Sequence, residues 1–110
     1  MRGWAVYWGR MRVRHKVARL ARLEAEASYN ADGAYAAAVV RGFRKAMGYI
    51  RNAMDERDIR QYKSLHYEKL HPPRDHQHSV AISDQCRLIL ESEGDGESKT
   101  LVVIGIEDYH

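Results

Sequence analysis

Gln77-His78-Ser79-Val80-Ala81-Ile82-Ser83-Asp84-Gln85-Cys86-Arg87-Leu88-Ile89-Leu90-Glu91-Ser92 is the stretch whose reading decides the fold. Two apolar-rich runs, Gln77 to Ser83 and Gln85 to Ser92, meet at Ser83-Asp84, a connection short enough to demand antiparallel strands. Alternation along them puts Val80, Ile82, Leu88 and Leu90 on one face. Working outward, Lys99 to Asp108 reads as a further strand beyond the turn Gly94-Asp95-Gly96, with Val102, Ile104 and Ile106 on that same face. Ser64 to Leu70 reads as another, before the loop His71-Pro72-Pro73-Arg74-Asp75.

A sheet with one apolar face needs a cover, and the upstream sequence supplies it. Trp4-Ala5-Val6-Tyr7-Trp8 is short, aromatic and alternating, and suits an opening strand ended by Gly9. From about Arg10 to Ala27 the apolar residues Val13, Val17, Leu20, Leu23 and Ala27 recur every three or four positions, the spacing of a helix face. Ser28 to Gly33 is a turn by composition, with Asn30 and Asp32 as candidate caps. A second helix carries the stripe Tyr35, Val39, Phe43, Met47, Ile50 and Met54, weakened at Gly42 and Gly48 by about 1 kcal/mol each relative to Ala. The order β-α-α-β-β-β-β predicts an α+β fold: an N-terminal strand and a two-helix hairpin packed on one face of an antiparallel sheet.

With 110 residues the chain is expected to form one domain, 1–110. The lone Cys86 cannot form an internal disulfide, and no apolar run approaches the roughly 20 residues that span a bilayer. A cytoplasmic location without membrane contact is the expectation. Charge is unevenly spread: residues 1 to 63 carry 14 Lys or Arg against 6 acids, and residues 64 to 110 carry 4 against 9. The basic half suits contact with a polyanion, or a solvated arginine-rich face that keeps the protein soluble.

Four segments, taken in order, carry a family pattern: Leu65-His66-Tyr67-Glu68-Lys69-Leu70; Ser79 to Leu88 with its Asp84-Gln85-Cys86-Arg87; Glu93-Gly94-Asp95-Gly96; and the closing Asp108-Tyr109-His110. Together they resemble the C-terminal half of HigB toxins, in the RelE/ParE superfamily of bacterial toxins. The resemblance covers residues 65 to 110; the first sixty match only in being helical and basic. It departs from the pattern at Cys86, where an aromatic usually precedes the arginine, and in the loop from Lys69 to Ser79, which is about two residues longer.

The resemblance implies a RelE-like fold and the toxin of a type II toxin–antitoxin system. Such a toxin is a ribosome-dependent endoribonuclease that cuts messenger RNA by attack of a 2′-hydroxyl on the adjacent phosphate. That chemistry needs a base at the 2′-oxygen, a proton for the departing 5′-oxygen and positive charge at the phosphorane, with no metal and no cofactor. The resemblance assigns the positive charge to Lys69 and Arg87, with Arg74 as a third cation. His110 is the candidate general acid, and His66 the base or a contact to the 2′-hydroxyl. Tyr109 offers a ring for stacking on an unpaired base, and Asp108 a supporting acceptor. Partners follow in the same way: messenger RNA on the ribosome, and a cognate antitoxin of helix-turn-helix, HigA-like type.

Alternatives stand beside each assignment. Arg87 can instead ion-pair with a neighbouring acid such as Glu107 or Asp108, and Tyr109 can pack on the sheet edge. His71, His76 and His78 invite a zinc reading, but no Cys or acid at a recognised ligand spacing completes the set. ParE-like members of the superfamily share the fold and poison DNA gyrase without catalysis, and an inactive RNA-binding or antitoxin-binding module is a third possibility.

Overall fold

The structure, a computed structural model, describes residues 11–94 and 99–108. The opening strand expected at Trp4 to Trp8, and Tyr109 and His110, lie outside the described residues. Strands β1 (Arg12–His15), β2 (Glu68–Lys69), β3 (Gln77–Ala81), β4 (Cys86–Glu93) and β5 (Thr100–Asp108) form one sheet in the order β1-β5-β4-β3-β2. Helices α1 (Ala18–Ala25), α2 (Ala37–Asn52) and α3 (Glu56–Gln61) complete an α+β fold. No helix among the described residues is long and apolar enough to cross a membrane.

The expected first helix starts late. Arg12–His15 is a strand, paired in parallel with β5 from Arg12↔Thr100 to His15↔Val103, so the sheet is mixed rather than wholly antiparallel. Val13 and Val17 lie four apart, which suits a helix, but Val13 and His15 turn inward on alternate positions while Val17 is exposed. His15 is a core histidine packed near Phe43, with its Nε2 2.7 Å from Glu24 Oε1. Glu24 also accepts both arms of the Arg51 guanidinium, which holds its carboxyl below the usual range against the opposing pull of burial. These bonds tie β1 to α1 and α2.

Between α1 and α2 the chain turns through Ala31, Asp32 and Gly33, all at positive φ, of which only glycine adopts that region freely. The expected side-chain caps are not made at Asn30 or at the start of α2. Arg44 supplies the closure instead: from α2 it donates to the carbonyls of Leu23, Glu26 and Tyr29 at 2.8–2.9 Å, capping the end of α1.

Helix α2 buries Val39, Val40, Phe43, Ala46, Met47 and Ile50, and α1 adds Leu20 and Leu23. Met54 lies past the helix end and is exposed, against expectation. A third helix, unforeseen, buries Ile59 and starts at Asp55, whose carboxylate accepts from Arg57 N at 2.8 Å. The sheet answers with Val80, Ile82, Leu88, Leu90, Leu101 and Val103. On β5 the expected inward set was Val102, Ile104 and Ile106, of which only Ile106 packs against the helix-side core; Val102 is buried on the other face. A bulge causes this: Ile89 pairs with Gly105 but Leu90 with Val103, so Ile104 is an extra residue that reverses the alternation. Upstream, Ser64 to Leu70 is not one strand, because the chain coils at Lys63–Leu65 to bury Leu65 and only Glu68–Lys69 pairs with β3.

Helix and sheet meet most closely at Gly42. A Cβ placed there would lie 1.6 Å from the carbonyl oxygen of Ile82, whereas one at Gly48, in the same helix, would meet nothing within 4 Å. Gly42→Ala is therefore expected to destabilise the fold by roughly 2 kcal/mol, since neither backbone can yield cheaply. Gly48→Ala is expected to stabilise it by about 0.5–1 kcal/mol through helix propensity. Urea denaturation of the two variants measures both effects.

Candidate functional site

The sheet face away from the helices carries the alternate residues of each strand. By register Arg87 stands beside Ala81 and Glu107, Ser79 beside Glu68 and Ile89, and Glu91 beside Gln77. Arg87 thus lies on the face away from the helices, where Ser79, Ile89 and Val102 are also buried, and not among the side chains of the helix-side core.

Arg87 is nevertheless only 8% exposed, because its guanidinium bonds to β3. Nε donates to Ser79 Oγ at 2.7 Å, and Nη2 donates to the His66 carbonyl and to Ser79 O at 3.3 Å. It forms an ion pair with Glu68, at 3.2 Å, an acid of β2, whereas the alternative reading looks to Glu107 or Asp108. Glu68 is about half exposed, so its carboxylate is the removable partner in this set. The Arg87 side chain therefore ties β4 through β3 to the segment leading into β2.

Glu107, the cross-strand neighbour of Arg87, binds Arg74 instead. Arg74 Nη1 and Nη2 reach its two oxygens at 3.0 and 2.7 Å, and Arg74 Nε reaches Gln77 Oε1 at 3.0 Å. This bidentate pair fixes the loop before β3 over the same face. The same loop contains the cis Pro72–Pro73 peptide. Asp108 accepts from the Cys86 thiol at 3.3 Å, and burial together with that carboxylate pushes the thiol pKa up, so Cys86 stays protonated.

His66 is exposed and takes a left-handed conformation, φ 46° and ψ 56°, at the point where the chain leaves the buried Leu65 and enters β2. Lys69 is exposed on the edge strand opposite His78, out of phase with Glu68 and Arg87. The structure thus brings the His66 backbone, Glu68 and Arg87 together, and sets Arg74 next to them through Glu107. It leaves Lys69 on the other side of the edge strand.

Tyr67 anchors this edge from the helix side. Its hydroxyl donates to Glu56 Oε2 at 2.8 Å, and its ring stacks on His78 with centroids 4.8 Å apart. Burial and then Glu56 push the phenol pKa upward, so Tyr67 is a neutral donor. Glu56 also accepts from Lys99 and Ser92; burial pulls its carboxyl up, but these bonds outweigh it and hold the pKa low. With His78 stacked on Tyr67 and His76 Nε2 3.5 Å from Glu91, the loop histidines are separately engaged. Among the described residues no cluster of His, Cys, Asp or Glu could hold a metal ion.

Sequence reasoning missed Glu68, Ser79 and Glu56. The first two had a signal: Glu68 stands between His66 and Lys69, and Ser79 is the hydroxyl two positions before the Ala81 that faces Arg87. Glu56 had none, since its three partners, Tyr67, Ser92 and Lys99, come from separate stretches of the chain.

No family model and no curated protein matches this sequence. Among solved structures the chain is similar to a YoeB/ParE toxin from Agrobacterium tumefaciens, with a TM-score of 0.54 and 14% identity, over 91% of this chain and 100% of that one. The likeness is one of fold, and it extends through the helices that the sequence pattern did not reach.

Replacing Arg87 with Ala strands the Ser79 hydroxyl and the His66 carbonyl, and is expected to cost about 2 kcal/mol of stability. Glu68→Gln, at a half-exposed pair, is expected to cost about 0.5 kcal/mol. Thermal unfolding of the two variants distinguishes a buried anchor from its removable counter-ion.

Proposed function

We propose that this chain is the toxin of a type II toxin–antitoxin pair and cleaves messenger RNA on the ribosome, in the RelE/ParE manner and with a C-terminal sequence pattern that resembles HigB. The observation that carries the reading is the toxin fold over 91% of the chain, combined with an arginine on the sheet face away from the helices at the position the family pattern assigns.

In this reading the 2′-hydroxyl attacks the adjacent phosphorus and the bond to the 5′-oxygen breaks. His66 takes the proton from the 2′-oxygen or hydrogen-bonds it, and His110 delivers one to the leaving oxygen. Arg87 meets the phosphorane after its non-bridging oxygens displace the Glu68 carboxylate, and Lys69 and Arg74 add charge from the edge and the loop. Tyr109 stacks on a base, and Asp108 supports from the end of β5. So few groups supply acid–base chemistry that the ribosome must hold the message in line, which accounts for ribosome dependence. No metal or cofactor takes part. A helix-turn-helix antitoxin neutralises the toxin in the cytoplasm.

A second reading has its own observation. The Arg87 guanidinium is buried in bonds to Ser79, His66 and Glu68, which suits a structural anchor in a non-catalytic, ParE-like gyrase inhibitor or an inactive binding module. The two readings separate in cells. Primer extension on translated messages is expected to show new cuts inside codons with the wild-type chain. Those cuts should weaken by roughly 100-fold with His66→Gln or Lys69→Ala, whose exposed side chains can change without loss of the fold. Intact messages alongside lost gyrase supercoiling would establish the second reading.

A further inference from the structure

Beside the Gly42–Ile82 contact a groove of about 440 Å³ opens between α2, the coil before β2 and the β3–β4 turn. Lys45 and Tyr49 line it from α2, Leu65 and His66 from the coil, and Ile82 and Asp84 from the turn. Arg87 forms part of the same wall, so the groove is continuous with the site described above.

Its chemistry is divided by position. Leu65 and Ile82 are buried apolar surface, and Tyr49 adds a ring held by contact with Tyr62, at 4.3 Å between centroids. Lys45 and Asp84 are exposed, and neither enters an ion pair or a side-chain hydrogen bond among the described residues. The volume admits one nucleotide and excludes a duplex. An apolar wall with an aromatic ring suits the flat face of a base, an ammonium suits a phosphate, and a carboxylate accepts hydrogen bonds without donating any.

We propose that this groove is a guanosine-selective subsite for single-stranded RNA, seating one nucleotide next to the phosphate that Arg87 and His66 approach. Its RNA assignment rests on the proposed function above. The selectivity follows from Asp84. Among the four RNA bases, guanine alone presents two adjacent N–H donors, N1–H and the N2 amino group, to a carboxylate. Adenine and cytosine set an acceptor beside their amino group, and uracil has one imino donor. Lys45 contributes to affinity through the phosphate and is indifferent to the base.

The test is titration of the folded chain with GMP, AMP, CMP and UMP, followed by amide chemical shifts, for the wild type, Asp84→Asn and Lys45→Ala. GMP is expected to shift the amides of Leu65, His66, Ile82 and Asp84 and to bind about tenfold more tightly than UMP. Asp84→Asn removes that preference, and Lys45→Ala weakens all four nucleotides alike. Silence of the groove amides with every nucleotide, or a guanine preference that survives Asp84→Asn, overturns the subsite. Cuts in translated messages that persist when the groove is silent would leave the ribonuclease reading standing alone. GMP binding at the groove without any cut would uphold a nucleotide site and remove the ribonuclease.

Discussion

The backbone contact between Gly42 of α2 and the carbonyl of Ile82 sets the geometry on which the remainder depends. Any side chain at position 42 would lift the helix from the end of β3. With glycine there, the α2 stripe of Phe43, Met47 and Ile50 reaches Val80, Leu88, Leu90 and Val103 on one face of the sheet. The same contact pins the β3–β4 turn at its Ile82 end, which orients Asp84 on one side and the start of β4, with Arg87, on the other. Packing on the helix side thus fixes where Arg87 is held.

On the face away from the helices, the described basic side chains Arg87 and Arg74 and the imidazole of His76 each lie near a carboxylate. Arg87 lies against Glu68, Arg74 against Glu107, and His76 near Glu91. A buried guanidinium costs a great deal without partners, and Ser79 and the His66 carbonyl supply most of them. Glu68, the exposed member, is the partner that can leave this set with the least disturbance.

The strands of the C-terminal half were legible because their period is short and their turns carry Gly, Pro, Asp and Ser. β3 and β4 were found almost to the residue. β5 was found, but its inward face was not, because a bulge at Ile104 leaves no mark in an unbroken run of apolar residues. β1 was hidden for a different reason. A four-residue strand next to a helix offers two inward positions, Val13 and His15, and the helical spacing from Val13 to Val17 mimics a longer helix. The site was legible in its types and not in its pairings. Position 87 was placed on the correct face, yet its acid was sought on β5, where strand neighbours suggest it, while the side chain reaches two strands the other way to Glu68.

What the chain does turns on whether it breaks a phosphodiester bond. The direct measurement is incubation of the purified chain with ribosomes translating a defined message, followed by analysis of the fragment ends. Cleavage is expected only when ribosomes are present, leaving a 2′,3′-cyclic phosphate on the upstream fragment and a 5′-hydroxyl on the downstream one. An intact message under those conditions, at chain concentrations that abolish supercoiling by gyrase, would contradict the ribonuclease reading.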